Sequence, residues 1–201
     1  MTIASPQSRR NFLAGAAALA VTGCTTSRYA EPVAPAEPRI SPSVVAAYSA
    51  QPYEPYAVPA IDPRKVPPQF WRQQVSYPTS EPVGTIIVDT SQFFLHLVQE
   101  NGMAMRYGVG VGRPGFEWRG THNITRKAEW PGWTPPPQMR KRQPGLPKYM
   151  PGGPNNPLGA RAMYLGSTLY RIHGSNQPWS IGRAVSSGCI RMRNEDVIDL
   201  Y

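Results

Sequence analysis

The chain has 201 residues and a formal net charge of +9, with 16% of its residues charged. This length is enough for one domain with a hydrophobic core and too short for two domains of ordinary size. The basic balance favours a partner that carries carboxylates or phosphates. Because the sequence contains no recognisable nucleic-acid-binding module, we expect no nucleic acid partner.

Residues 1–23 have the pattern of an export signal. The adjacent arginines Arg9 and Arg10 precede a short apolar run that ends before Cys24. This run is shorter than the ~20 apolar residues that cross a bilayer, and the arginine pair indicates the twin-arginine export route. The small residues before Cys24 resemble a bacterial lipobox, in which the cysteine sulfur is acylated. We predict a lipid anchor at Cys24 and a periplasmic, envelope location; the alternative is an ordinary signal with a chance cysteine.

The next segment, residues 24–78, is rich in proline. Twelve prolines lie between Glu31 and Pro82. Proline at this density opposes helices and central strands, because each one lacks a backbone donor and restricts the residue before it. We therefore predict a disordered, partly polyproline II tether over 24–78, followed by a globular domain over 79–201.

The first part of this domain has the pattern of a β-meander. The segment "GTIIVDTSQFFLHLVQENGMAMRYGVGVG" predicts three strands joined by short turns, with a hairpin at the Asn-Gly pair. The strands are predicted over 85–88, 93–98 and 103–111. Residues 110–115 formally match G-x-G-x-x-G, but a strand-like sequence follows where a dinucleotide site needs a helix. We therefore exclude a dinucleotide site.

A long irregular loop follows, and it contains Trp130 and Trp133. Such a loop inside a compact domain is often functional. The two tryptophans either cap the core or line a substrate groove, and both alternatives stay open. Beyond the loop we predict two short strands that lead to His173, and a helix whose N-cap is Asn194.

Cys189 lies just before that helix, after a Ser-Ser-Gly sequence. Exported proteins normally pair their cysteines, and acylation of Cys24 would leave Cys189 without an intramolecular partner. One alternative is an inert, buried cysteine, but its polar neighbours are not those of an apolar core strand. His173 lies sixteen positions earlier, and a Cys–His pair supplies a thiolate at neutral pH and moves the proton to a leaving amine. We predict a catalytic thiol, with a tight backbone at Gly188 that lets nearby amides bind an oxyanion.

The pair His173-Gly174 and the sequence "SSGCIRM" at 186–192 resemble the signature of the L,D-transpeptidase (YkuD-like) catalytic domain. The resemblance extends over 82–201 and includes "VDTSQFFLHLV", "YGVGVGRPGFEW" and "WPGWTPP". It implies a mostly β fold of two packed mixed sheets with a short helix after the cysteine, and neither a metal nor an organic cofactor. The family's domain continues beyond this helix, so we expect an incomplete C-terminal edge.

The resemblance also implies roles for individual residues. Cys189 would be the nucleophile and His173 the proton acceptor and donor, with the Gly174 carbonyl orienting the imidazole and Gly188 forming the oxyanion loop. The residues expected to bind substrate are Arg191, Ser187 and Asn176. Ser187 stands where the family usually has a second histidine, so its role stays open.

The function implied is that of a peptidoglycan L,D-transpeptidase that forms an acyl-thioester with tetrapeptide stems. The acyl group would pass to an amine, either on another stem in a 3-3 cross-link or on a wall-anchored lipoprotein, and carbapenems would acylate the thiol. The alternative is a non-catalytic peptidoglycan-binding lipoprotein on the same fold. A sortase-like enzyme is disfavoured, because Arg191 lies only two positions after Cys189.

Overall fold

In a computed structural model of the chain, residues 39–201 are described. The helices are α1 (Pro42–Ala47), α2 (Pro137–Arg142) and α3 (Asn194–Leu200). Turns of 3-10 helix cover Pro63–Lys65, Pro68–Phe70 and Pro178–Ser180. The strands are β1 (Gln73–Ser76), β2 (Ile86–Asp89), β3 (Phe94–Val98), β4 (Met103–Gly108), β5 (Val111–Gly112), β6 (Ile124–Glu129), β7 (Arg161–Leu165), β8 (Arg171–His173), β9 (Ala184–Ser186) and β10 (Ile190–Arg191). The predicted signal and Cys24 lie outside the described residues.

The first sheet has the order β1-β4-β3-β2 and is antiparallel throughout. The predicted hairpin joins β3 to β4, and both Asn101 and Gly102 have the positive φ that a two-residue turn requires. The predicted strand over 103–111 is divided, because β4 ends at Gly108 and β5 pairs with β9 instead. The element that follows the glycine pattern is β6, and not the helix that a dinucleotide site would need.

The second sheet has the order β10-β8-β7-β6 and is mixed, since β10 and β8 are parallel while the other neighbours are antiparallel. The prediction of a mostly β fold is confirmed, although only this sheet is mixed. One hydrophobic core joins β3 and β4 of the first sheet to the second sheet and α3. Its fully buried members include Leu95, Tyr107, Val109, Met163, Ile190, Met192 and Val197.

Helix α3 follows Cys189 as predicted, but Asn194 is its first residue and not its cap. The cap position is Arg193, without a side-chain capping bond. The Oδ1 atom of Asn194 instead accepts from the amides of Ala160 at 3.0 Å and Ser175 at 3.2 Å. Asn194 therefore fixes the backbone just after His173. No helix within residues 39–201 is long and apolar enough to cross a membrane.

The prediction of a disordered tether is wrong for residues 39–78. Residues 39–72, here called the N-terminal strap, contain α1 and two turns of 3-10 helix, and β1 follows them directly. The prolines allow this because each of the three short helices carries one in its first turn, where a backbone donor has no intrahelical partner in any case. The density of proline therefore did not exclude short helices, because Pro42, Pro63 and Pro68 occupy positions that helices tolerate.

The strap has a hydrophobic cluster of its own. The buried members of this cluster are Val44, Tyr48, Val66 and Trp71. The indole Nε1 of Trp71 donates to the carbonyls of Pro63 and Val66, both at 3.0 Å. The hydroxyl of Tyr48 accepts the backbone N–H of Arg72 at 2.8 Å. The cluster therefore combines apolar burial with satisfied polar groups, which is what an ordered segment needs.

Two ion pairs attach the strap to α3 and to β7. Arg72 contacts Asp199 of α3 at 2.8 Å and also donates to the Ala47 carbonyl at 3.0 Å. Glu54 pairs with Arg161 of β7 at 2.6 Å, where both side chains are largely buried. The hydrogen bond from Arg161 holds the pKa of Glu54 below its usual value. The strap is thereby linked to both α3 and the second sheet.

Candidate active site

The parallel pairing of β8 with β10 brings the two predicted catalytic residues to one place. In this register Arg191 lies beside His173, and Ile190 lies beside Ile172. His173 ends β8, and Cys189 immediately precedes β10. Both residues line the same cavity, whose volume is about 360 Å³. The fifteen residues between His173 and Cys189 are thus the connection between two adjacent strand ends.

His173 is buried, with only 4% of its surface exposed. Its Nδ1 atom lies 2.5 Å from the carbonyl oxygen of Gly174. A carbonyl can only accept, so Nδ1 carries the hydrogen in this bond and Nε2 keeps a lone pair. Gly174 is therefore in the position predicted for it, with its carbonyl against the imidazole.

The surroundings of His173 favour its neutral form. Burial lowers the pKa of His173 to about 3; the nearby Arg191 and Arg171 also lower it, while the Gly174 carbonyl acts in the opposite direction. A neutral imidazole can take a proton during the reaction. The site therefore disfavours the charged imidazolium that a preformed ion pair would need.

Cys189 is partly exposed at the cavity and forms no disulfide with any residue of the described chain. Its Sγ atom lies 3.8 Å from the carbonyl oxygen of Leu169. A thiol that faces a cavity differs from the inert, fully buried cysteine considered as the alternative. The sulfur is therefore accessible to a substrate.

The turn that carries Cys189 requires glycine at position 188. Gly188 has φ +105°, and a Cβ there would meet the ring of Tyr170 and the Phe116 carbonyl. The hydroxyl of Ser186 braces the same turn, because it accepts from the Gly188 amide at 3.1 Å and donates to the Cys189 carbonyl at 2.7 Å. Backbone conformation and space thus both select glycine before the cysteine.

Two of the three predicted substrate-binding residues reach the cavity. Arg191 lines it, and its Nη1 donates to Gln177 Oε1 at 3.0 Å. Ser187 also lines it, and its hydroxyl accepts from Arg113 Nη1 at 3.0 Å. Asn176 is not among the lining residues, and its side-chain amide donates to the backbone carbonyl of Asn155 at 2.9 Å. The structure therefore does not bring Asn176 to the site.

Much of the cavity wall was not predicted from the sequence. The unpredicted part comes from the loop after β5 and from α2 with its neighbours, and it includes Phe116, Met139 and Arg142. The two tryptophans of the irregular loop have different roles: Trp133 lines the cavity, whereas Trp130 is buried in a small cluster with Val58. The long loop is thus partly a wall of the candidate site, which no periodic pattern indicated.

The cavity is basic. The guanidinium groups of Arg142, Arg171 and Arg191 belong to lining residues, and none of the lining residues is acidic. Such a site attracts carboxylates. Among residues 39–201 no group of three or more histidine, cysteine or acidic side chains could hold a metal ion.

Comparison with known proteins relates this site to one family. The family model of the L,D-transpeptidase catalytic domain (YkuD) matches residues 84–201. The chain is 38% identical over 138 residues to the "Probable L,D-transpeptidase ErfK/SrfK" of Escherichia coli strain K12. The matched region covers 64% of this chain and 43% of that protein. The chain is 34% identical over 137 residues to the "Probable L,D-transpeptidase YbiS" of the same strain, with shares of 64% and 44%.

One similar solved structure, from Brucella melitensis, is described as a "Probable carnitine operon oxidoreductase caia". It is 45% identical, with a TM-score of 0.50, and the match covers 70% of this chain and 91% of that one. The chain spans less than half of the length of the two Escherichia coli relatives. Because the family model matches more than half of the chain and includes both His173 and Cys189, this chain belongs to the L,D-transpeptidase catalytic-domain (YkuD) family.

Proposed function

We propose that this chain is a cysteine L,D-transpeptidase whose acyl donor is the tetrapeptide stem of peptidoglycan. The observation that carries the proposal is the shared cavity of His173 and Cys189, with the imidazole held by the Gly174 carbonyl. A neutral base and an accessible thiol that line one cavity are the groups that acyl transfer needs. The basic wall supports a substrate with several carboxylates, which stem peptides have.

The proposed reaction has two halves. In the first, Nε2 of His173 takes the thiol proton while Sγ of Cys189 adds to the carbonyl at the L-centre of the diamino acid in the stem. The tetrahedral intermediate collapses, the bond to the terminal D-Ala breaks, and His173 returns the proton to the leaving amine. In the second half an acceptor amine attacks the thioester carbonyl and loses its proton to His173. The C–S bond then breaks, and the departing sulfur takes that proton from His173 to restore the thiol.

The resting state follows from the low pKa of His173. Because the imidazole is neutral, His173 acts as a general base at the moment of attack and does not hold a preformed ion pair. The imidazolium exists only while negative charge is present on the intermediate. Oxyanion donors beside Cys189 would stabilise that charge.

The predicted location completes the proposal. An export signal over 1–23 and a lipid on Cys24 would place the domain in the cell envelope, where its substrate is found. Acceptors of three kinds fit the chemistry: an amine of another stem, a lysine of a wall-anchored lipoprotein, and a free D-amino acid. Water as acceptor would give hydrolysis of the stem.

The test uses the full chain with purified disaccharide tetrapeptides as donor and acceptor. Release of D-Ala and formation of the cross-linked dimer are measured for the wild type, for Cys189→Ala, and for the matched control Ser180→Ala, whose buried hydroxyl donates to the Gln177 carbonyl outside the cavity. We expect both products from the wild type and the control and neither from Cys189→Ala. D-Ala release that persists in Cys189→Ala would overturn the proposal, and a wild type that binds stems without releasing D-Ala would favour the non-catalytic alternative.

A further inference from the structure

The carbonyl of Gly188 accepts a hydrogen bond from a side chain of a distant loop. The indole Nε1 of Trp118 donates to this oxygen at 2.6 Å. Trp118 belongs to the loop between β5 and β6, seventy positions earlier in the chain. A side chain from a distant loop therefore fixes one end of the peptide unit that leads into Cys189.

That peptide unit also contains the amide of Cys189. A peptide is planar and trans, so its N–H points away from its carbonyl and holding the oxygen fixes the direction of the N–H. Within residues 39–201 the Cys189 amide donates to no acceptor, although the amides of Gly188, one position before it, and of Arg191, two positions after it, both do. An N–H without an internal partner, next to an accessible sulfur, is available to an oxygen of the substrate.

The indole is itself held in place from two directions. Tyr170 stacks on it with 4.7 Å between the ring centroids and an angle of 5° between the planes. His122 contacts it edge-on, with the centroids 5.4 Å apart. Because the same Tyr170 ring fills the space beside Gly188, indole, tyrosine and turn form one packed unit. The donor atom therefore has a fixed position relative to Cys189.

We propose that Trp118 is a positioning residue for acyl transfer. Its N–H holds the Gly188–Cys189 peptide so that the Cys189 amide receives the oxyanion formed when Sγ adds to an acyl carbon. Donation to the carbonyl also polarises the peptide and makes its N–H a better donor. The inference rests on the proposed function only in taking Cys189 as the nucleophile; it does not depend on the identity of the acyl donor.

The test compares two reactions of the same thiol in the full chain. With p-nitrophenyl acetate, Sγ adds to the carbonyl carbon, p-nitrophenolate leaves, the thiol proton passes to His173, and an oxyanion forms on the way. With iodoacetamide, Sγ displaces iodide from a saturated carbon and no oxyanion forms. Loss of an oxyanion donor therefore slows the first reaction and spares the second.

The variant Trp118→Phe keeps an aromatic ring against Tyr170 and removes the N–H. We expect its acylation rate constant to fall by about 10- to 100-fold, somewhat less than the loss of a direct oxyanion donor. Its alkylation rate constant should stay within about twofold of the wild type, because displacement at a saturated carbon forms no oxyanion. Intact-mass measurement checks that both adducts form on Cys189.

Trp130→Phe is the matched control. It removes an indole donor of the same kind, the bond to Glu54 at 2.9 Å, from a residue that does not line the cavity. Both rate constants should remain at the wild-type values. A benzothienylalanine at position 118, which replaces the indole N–H with sulfur at nearly constant shape, tests the same bond if phenylalanine unfolds the loop.

The inference is overturned if Trp118→Phe and the sulfur analogue are acylated at the wild-type rate. It is also overturned if acylation and alkylation fall by the same factor, since that result means a general disturbance of the thiol. Failure of the wild type to release D-Ala from tetrapeptides would overturn the proposed function alone, because the ester reaction would still report on Trp118.

Discussion

The N-terminal strap and the segment from His173 to Met192 differ in how they use their polar groups, although both have little regular structure. In the strap, the polar side chains have partners within the protein. The Trp71 indole donates to two carbonyls of the strap, and Arg72 contacts both α1 and α3. In the second segment the Cys189 thiol faces a cavity and its amide lacks a partner in the described chain. The comparison indicates that the strap stabilises the fold and that the other segment keeps groups free for chemistry.

Removing the imidazole should give the largest effect in this comparison. His173→Gln is expected to reduce the acylation rate constant of Cys189 by about 10²- to 10⁴-fold, the usual contribution of a general base. The rate is measured with p-nitrophenyl acetate under single-turnover conditions. The control is His96→Gln, which alters a buried histidine stacked on Tyr77 in the first sheet. A loss of less than tenfold in His173→Gln would contradict the role of His173.

Removing the buried tryptophan of the strap should lower the stability of the chain without changing the reactivity of Cys189. Trp71→Ala removes a buried aromatic side chain together with two hydrogen bonds, and we expect it to lower the free energy of unfolding by about 3–5 kcal/mol. Urea denaturation of the full chain measures this loss. At a temperature where the variant is folded, its acylation rate constant should remain at the wild-type value.

The matched control for the strap is Tyr53→Ala, since the side chain of Tyr53 is fully exposed. Its free energy of unfolding should change by no more than about 0.5 kcal/mol. A Trp71→Ala variant as stable as the wild type would show that the strap does not contribute to the folded unit. A large change in its acylation rate would show that strap and active site are not separable.

The burial of His173 should also make the stability of the chain depend on pH. Because the folded-state pKa of His173 is lowered to about 3, the unfolded chain binds a proton there more readily. The contribution of His173 is therefore fully present above about pH 6.5 and is lost as the pH falls toward 3. We expect the difference in unfolding free energy between the wild type and His173→Gln to decrease by on the order of 1 kcal/mol per pH unit below 6.5.

Urea titrations of the two proteins between pH 7 and pH 4.5 measure this decrease. Burial raises the pKa of Asp196 to about 7, so its contribution to stability changes with pH in the direction opposite to that of His173. Both proteins contain Asp196, and the difference between their unfolding free energies removes its contribution. A difference that does not vary with pH would mean that His173 has an ordinary pKa in the folded protein.

The smallest expected effect belongs to the position where the family usually has a histidine. Ser187→Ala removes one acceptor of Arg113, which keeps the Ser186 carbonyl and its contact with the Phe116 ring. We expect an acylation rate within about fivefold of the wild type, equivalent to the ~1 kcal/mol of a single partly exposed hydrogen bond. A loss beyond 100-fold would assign Ser187 a direct role in the reaction.

The sequence predicted that His173 and Cys189 belong to one site, and both line the same cavity. The signal is a short motif made of His173, Gly174, Gly188 and Cys189, and these residue types indicate the chemistry. The φ of +105° at Gly188 explains the glycine before the cysteine. The hairpin after β3 was predictable for the same reason, since its Asn-Gly pair needs positive φ at both residues.

The parts that were not predicted depend on contacts between distant segments. Proline content suggested a tether, but the outcome depended on Pro42, Pro63 and Pro68 each lying in a first helical turn and on the contact of Arg72 with Asp199. Asn194 looked like a helix cap, whereas its side chain is used by the amides of Ala160 and Ser175. Trp118 gave no signal either, because its partner is seventy positions away.

The most direct test of the central claim is the mass of the acyl-enzyme. The full chain is incubated with tetrapeptide stem, quenched in acid, and analysed by intact-mass and peptide-level mass spectrometry. We predict an adduct with the mass of the tetrapeptide minus D-Ala on the peptide that contains Cys189, and no adduct in Cys189→Ala. An adduct on another residue, or D-Ala release without any Cys189 adduct, would contradict a mechanism in which the Cys189 thiol is the nucleophile.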